Sequence, residues 1–374
     1  MAIRIQLRKD AASVWDSADS VLKAGEFGFA WDSADSASFG RLKIGDGSTS
    51  WTNLPYFYSA GDSAGNYASA GGAAATWYGD RAVVGGGGAG TNQLRNIIDY
   101  YDMTTPGNAT DFGDLTVARE MLQGAVSDAT YGLYFGGTTY NDTPQVHTNV
   151  IDYITIATTG NATDFGDMTV SGSRGAACGD ATYGVSTSIT DYGTSNGLEY
   201  VTIASPGNAS DFGDLTEVIG LVPAAMNDAT YGVFAGGNRT SGQSVTIDYF
   251  TIATTGNASD FGDLTVGVSR TAGCSDDTYG IVMGGYRADS YWWTIDYVTI
   301  ASPGNATDFG DLTAYHIDMC ACSNGTYGNV NGNGASGIAN TIEYVTIASP
   351  GNGTDFGDLT DARKNAASTS GSPS

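Results

Sequence analysis

Side chains able to do acid–base, nucleophilic or metal chemistry are few in this sequence, and most recur at fixed intervals. There are two histidines, His147 and His316. A serine–histidine–acid site would need one of them beside a nucleophile and an orienting carboxylate, and no local motif supplies those partners. Copper held by several His and Tyr ligands would need a larger histidine supply. Carboxylates are plentiful, with 40 Asp and Glu, and two suffice for glycoside hydrolysis. Most of them stand at repeated positions, however, whereas a catalytic pair should break the repeat. The acids that break it are Asp142, Asp191, Glu217, Asp289 and Asp318. The repeated pairs Asp111/Asp114, Asp164/Asp167, Asp211/Asp214, Asp260/Asp263, Asp308/Asp311 and Asp355/Asp358 offer oxygen ligands of the kind calcium takes. Sixfold recurrence favours turn capping through backbone N–H groups instead. The expectation is a protein with no catalytic residues, no metal and no cofactor.

Three of the four cysteines, Cys178, Cys274 and Cys322, stand five residues before a repeated tyrosine, and Val126 and Met226 fill the same slot elsewhere. A slot that takes Cys, Val and Met is buried and apolar, so reduced core thiols are expected. Cys320-Ala321-Cys322 is spaced too closely for the usual zinc pair.

The elements that position these residues follow from the repeat. The block Gly107-Asn108-Ala109-Thr110-Asp111-Phe112-Gly113-Asp114-Leu115-Thr116 recurs with its Phe at Phe165, Phe212, Phe261, Phe309 and Phe356. Six copies near a period of 48 match β-propeller blades of the kelch type, whose period is about 50. Each copy reads as four strands, exemplified by Arg119–Val126 (a), Tyr131–Phe135 (b), Ile151–Ile156 (c) and a short d around 165–169. The first copy begins at strand b, and the last runs past Thr360 into a surplus strand a. A ring closed by the C-terminal strand accounts for both ends and leaves no exposed sheet edge. Tyr183-Gly184-Val185-Ser186-Thr187 lacks the Gly-Gly pair that ends strand b in other copies, so an irregular end is expected there.

Composition agrees with an all-β chain: 54 of 374 residues are glycine and only 15% are charged. No apolar run is long enough for a transmembrane helix, and no secretory signal is visible at Met1-Ala2-Ile3-Arg4. Residues 1–58 carry six bases (Arg4, Arg8, Lys9, Lys23, Arg41, Lys43) and seven acids (Asp10, Asp16, Asp19, Glu26, Asp32, Asp35, Asp46). That leaves 9 of the 15 bases and 33 of the 40 acids elsewhere, a net charge of −24 out of −25. Such acidity repels nucleic acid and anionic membranes, so neither is an expected partner. Residues 59–78 form a Gly/Ala/Ser-rich linker, and the propeller is expected over 79–374.

The blocks Ile3-Arg4-Ile5-Gln6-Leu7-Arg8, Gly25-Glu26-Phe27-Gly28-Phe29 and Leu42-Lys43-Ile44-Gly45-Asp46-Gly47-Ser48-Thr49-Ser50-Trp51 resemble the small N-terminal domain of tailed-phage fibre, tail-spike and hyaluronidase proteins. The resemblance covers about 50 residues. It departs at Asp32–Phe39, which is longer and richer in serine than the usual hairpin turn. The repeat is similar to kelch-like repeats in structural proteins of marine and cyanobacterial phages. The resemblance implies a domain at 1–58 that fastens the chain to other virion proteins of tail or capsid, through Ile3, Ile5, Leu7, Phe27, Phe29, Ile44 and Trp51. It also implies a homotrimer and location in the virion. Assembly in the bacterial cytoplasm fits the absent signal and the reduced thiols.

The c–d turns hardly vary among the copies, whereas the b–c loops (89–96, 138–149, 187–196, 238–246, 286–294 and 331–340) share almost nothing. The b–c loops and d–a crossings should open on one face of the disc, and the linker should join the other. The variable loops carry Tyr140, His147, Tyr192, Tyr286, Arg287, Tyr291, Trp292 and Trp293. Exposed aromatics there could bind a host surface glycan or protein; Trp292 and Trp293 could equally pack between blades. The leading expectation is a tail-fibre or receptor-binding component of a phage. A capsid decoration or head-fibre protein is the alternative, and a glycan-degrading tail spike a third.

Overall fold

The computed structural model describes residues 76–372 except 91–92, 141–143, 191–194, 222, 288–289 and 336. Before residue 76 it describes the backbone of four strands, Arg8–Ala11, Phe27–Trp31, Arg41–Ile44 and Tyr56–Tyr58. The described residues contain strands and turns but no helix. The chain divides into two compact units, Met1–Ala75 and Thr76–Ser374.

In the first unit the four strands form one sheet in chain order. The first two run parallel, with Arg8 opposite Gly28, and the remaining pairs are antiparallel. Phe27 stands opposite Ile44, and Phe29 opposite Leu42. Ile3, Ile5, Leu7, Trp51 and residues 59–75 lie outside the described residues.

The second unit is a six-bladed β-propeller in which every blade is a four-stranded antiparallel sheet. Blade two shows the pattern: Gly124–Ser127 (a), Tyr131–Tyr140 (b), Val146–Thr155 (c) and Thr163–Asp167 (d). The six a strands pack against one another around the axis. Their middle residues, Ala125, Ala177, Ala225, Gly273, Ala321 and Ser368, line the axial channel at its waist. Only small side chains fit where six strands converge. The apolar core lies between blades: Val126, Leu133, Phe135, Ile151 and Phe165 of blade two pack with Val201 and Ile203 of blade three.

The recurring block adds hydrogen bonds to each seam, beside the apolar packing. The Asn of the Gly-Asn turn accepts a hydrogen bond from the backbone N–H of the preceding blade's d strand. Asn161 Oδ1 takes Asp114 N–H at 3.1 Å, and Asn208, Asn257, Asn305, Asn352 and Asn108 repeat it. The threonine two residues after each Phe-Gly-Asp donates to a buried acid in strand c of the next blade. Thr116 Oγ1 donates to Asp152 at 2.6 Å, with equivalents Thr169–Glu199, Thr216–Asp248, Thr265–Asp296, Thr313–Glu343 and Thr360–Asp99. Gly113 has φ +150°, and a Cβ there would lie under 3.0 Å from the Gly160 carbonyl of the next blade's turn. The turn also covers the outer edge, because Gly160 N–H and Ala162 N–H donate to Phe112 O and Asp114 O. Edge carbonyls that would otherwise template aggregation are thereby occupied.

The seam from blade six to blade one uses the same bonds, Asn108 to Asp358 and Thr360 to Asp99. The C-terminal strand Ala367–Gly371 completes blade one by pairing with Arg81–Gly85. The expected closure is therefore present.

All four expected strands of blade two differ in extent. Strand a of blade two is Gly124–Ser127, not Arg119–Val126. Met121, in the left-handed region at φ 55°, ends any extended run before it. Strand d is Thr163–Asp167, earlier than expected, and strands b and c continue as a hairpin to Tyr140 and from Val146. Strand b of blade three, Tyr183–Thr187, pairs with Leu198–Thr202 without a register break, so the missing Gly-Gly pair leaves it regular. Trp77 and Tyr78, linker by composition, belong to the propeller unit and line one end of the channel. The Trp77 carbonyl accepts from Ser127 Oγ, and Tyr78 Oη donates to Asp277 at 3.0 Å.

Met121, Arg174, Leu221, Arg270, Asp318 and Asn365 are equivalent residues, one per d–a crossing, and all are left-handed. Met121 N–H donates to Asn365 O and Arg174 N–H to Met121 O, both at 2.8 Å; Arg270, Asp318 and Asn365 donate likewise to the crossing before them. This necklace of backbone bonds ties the crossings together beside the channel mouth. The left-handed conformation costs a side-chain-bearing residue about 1–2 kcal/mol, and Asn tolerates it best after Gly. Leu221→Asn should therefore raise stability by about 1 kcal/mol in a denaturant titration. A lower midpoint would contradict this.

Candidate binding face

The b–c hairpins and d–a crossings share one face, and bridges between them show it directly. Glu120 pairs with Thr138, Gly220 with Asn238 and Ser269 with Tyr286. On this face blade five differs from the rest. Its b–c hairpin joins Tyr279–Arg287 to Ser290–Thr299, with Tyr286 opposite Tyr291 and Gly285 opposite Trp292.

Side chains alternate along a strand, so Trp292 and Trp293 part company. Trp292 is half-buried and packs on the cluster that contains Val268 and Val282. The Arg287 guanidinium lies over its ring at 4.9 Å, and its own Nε1 is buried without a partner. Trp293 points the other way and is 40% exposed. It stacks on Tyr315, from the crossing into blade six, with centroids 4.4 Å apart and planes 4° from parallel. Tyr315 is 41% exposed, and Tyr291, two residues before Trp293 on the same side of the strand, is 39% exposed. Tyr286 and Tyr291 meet in a tilted pair at 6.2 Å. Arg270, beside Tyr286, is held by both carboxylate oxygens of Asp318.

The structure thus brings together Tyr286, Arg287, Tyr291, Trp292 and Trp293. Tyr140 and His147 sit on another hairpin, in blade two. Tyr140 is exposed, whereas His147 is partly buried with Nδ1 3.1 Å from Thr138 Oγ1. Tyr192 lies outside the described residues. Tyr315 was not among the sequence candidates. The signal for it was its aromatic type at a position that is Ala118, Ser171, Val218, Gly267 or Ala362 in the other copies.

Of the acids that break the repeat, the two described ones each face a base. Glu217 pairs with Arg239 at 2.8 Å, Asp318 with Arg270, and Asp142, Asp191 and Asp289 lie outside the described residues. Among the described residues no group of three or more His, Cys, Asp or Glu is placed to hold a metal ion. All four cysteines are buried and unpaired. Burial pushes the Cys320 thiol up to about 11 and Cys322 up to about 12, and it raises Cys178 and Cys274 well above the ordinary thiol value. None supplies a thiolate near neutral pH.

The interblade acids fall into two environments. At the fourth residue after each Leu115-type position, three blades place a base: Arg119, His316 and Arg363. Arg119–Asp152 and Arg363–Asp99 are fully buried ion pairs at 3.0 Å, and His316 Nε2 lies 2.6 Å from Glu343 Oε1. Burial pushes the Glu343 carboxyl up, but hydrogen bonds from His316 and Thr313 outweigh it and hold the carboxyl below its ordinary value. Asp296 has only Thr265, and burial raises it. A depressed carboxyl contributes stability above its unfolded range and loses it as pH falls; a raised one contributes in acid and loses it as pH rises. Glu343→Gln should therefore cost more at pH 7 than at pH 4, while Asp296→Asn should improve relative to wild type over the same interval. Melting midpoints at the two pH values read the opposite slopes. Parallel slopes would contradict the assignment.

Comparison with protein-family models and with curated proteins finds no match to this chain.

Proposed function

We propose that this chain is a phage virion structural protein of the tail-fibre or receptor-binding type, held to the particle through residues 1–58 and presenting the variable propeller face to the host. The observation that carries this reading is the division of labour between the two faces. The six copies keep the seam-forming residues nearly constant, while the b–c hairpins and crossings diverge on one face and concentrate aromatics in one sector. Binding surfaces on a rigid scaffold have this character: loops vary while the frame is kept. The fibre-type sequence blocks in 1–58 support the anchoring half of the proposal.

Purified protein incubated with the host bacteria should lower subsequent phage adsorption in a dose-dependent way. Adsorption that stays unchanged while the protein is in excess would overturn the receptor-binding role.

A further inference from the structure

We infer that the Trp293–Tyr315 stack is a platform for a neutral pyranose of a glycan, an inference that rests on the receptor-binding reading and gives it a ligand class. The five other blades serve as an internal control. Where blade five has Trp293, they have Asn96, Asn149, Asn196, Val245 and Asn340; where it has Tyr315, they have Ala, Ser, Val or Gly. Those blades fold alike, so neither ring is required by the propeller. Asn196 and Asn340 even donate through Nδ2 to Leu215 O and Leu359 O, a hydrogen bond that tryptophan forgoes. Two independent departures from the repeat meet face to face, each about two-fifths exposed.

Parallel stacking fixes both rings in one orientation and leaves a flat, rigid surface that loses little side-chain entropy on binding. The strand backbone behind Trp293 is anchored, because its carbonyl accepts Leu312 N–H at 2.8 Å. Tyr315 O likewise accepts Asn333 Nδ2 at 2.8 Å. A pyranose ring offers a face of C–H bonds that matches such a surface, and its equatorial hydroxyls remain free to reach polar groups at the rim.

Two observations select a neutral sugar over other occupants. The chain's net charge of −25 repels polyanionic glycans at long range. A protein partner would call for a large contiguous apolar patch, yet among the described residues the other large exposed apolar side chains, Val117, Tyr140, Val146 and Val218, belong to other blades. The next exposed side chain on that side of the strand, Tyr291, about 7 Å away by the two-residue rise, is another ring rather than an aliphatic group.

The test is calorimetric titration of the full chain with maltohexaose, cellohexaose and chitohexaose. At least one should bind, Trp293→Ala should weaken it about tenfold, and Tyr315→Phe should retain it because the ring face and not the hydroxyl does the stacking. Val117→Ala, on the crossing into blade two, should leave binding unchanged. Binding by none of the three, or undiminished binding by a folded Trp293→Ala variant, would overturn the inference. Failure here is separable from failure of the receptor reading. Host-cell binding that persists without any oligosaccharide affinity removes the glycan alone, whereas oligosaccharide affinity in a protein that never competes with phage removes the receptor role alone.

Discussion

Arg119→Met should destabilise the propeller by about 3 kcal/mol, at the lower end of the 3–5 kcal/mol typical when one partner of a buried ion pair is removed. Arg119 and Asp152 are both fully buried, 3.0 Å apart, and Arg119 Nη2 also donates to Tyr134 O at 3.3 Å. Methionine keeps much of the stem volume but strands the carboxylate. The cost stays at the lower end because Thr116 still donates to Asp152 through both its N–H and its hydroxyl. The seams at Asp248 and Asp296 show that a threonine alone supports such an acid. Adding Asp152→Asn to Arg119→Met should therefore recover most of the loss. A double variant as unstable as the single one would contradict the ion-pair explanation and point to packing around Arg119 instead.

Deletion of residues 367–374 should have the larger effect and abolish the cooperative fold. The strand Ala367–Gly371 supplies five register pairs to Arg81–Gly85. Ala82, Val83 and Val84 on that partner strand have no solvent exposure. Without the C-terminal strand they would form a bare apolar edge next to the axis, the arrangement most prone to intermolecular pairing. The seam from blade six would also lose its backing, since Ser370 Oγ donates to Ser323 O. Circular dichroism with sedimentation should show aggregation or loss of the melting transition. A truncated chain that stays monomeric and melts at the wild-type temperature would refute closure by this strand.

Much of this architecture was legible because the chain contains six versions of its own answer. The period, blade number and closing strand followed from where the Phe112-type residues recur and from what each end lacks. The thiol slot was legible because Val126 and Met226 occupy it elsewhere. The d–a crossings were not. Arg119–Val126 alternates like a strand, yet the crossing needs one left-handed residue at Met121, and no glycine marks it. The acid–threonine bonds escaped notice because the partners lie in different copies, and neither residue type signals a buried contact by itself. Strand alternation did contain the answer for Trp292 and Trp293: neighbours on one strand face opposite sides, so one had to pack and the other to project. Tyr315 lies in a d–a crossing, outside the b–c loops from which the binding candidates were drawn. Buried against Glu343, His316 belongs to the seam.

The central proposal, a propeller fixed to a phage particle with its variable face outward, is tested most directly by immunogold labelling of intact virions with antibody raised against residues 76–374. The account predicts gold at tail tips or fibres, with labelling blocked by prior binding of host envelope. Gold spread over the capsid would contradict the receptor-binding assignment in favour of head decoration, and unlabelled virions would contradict a virion location altogether.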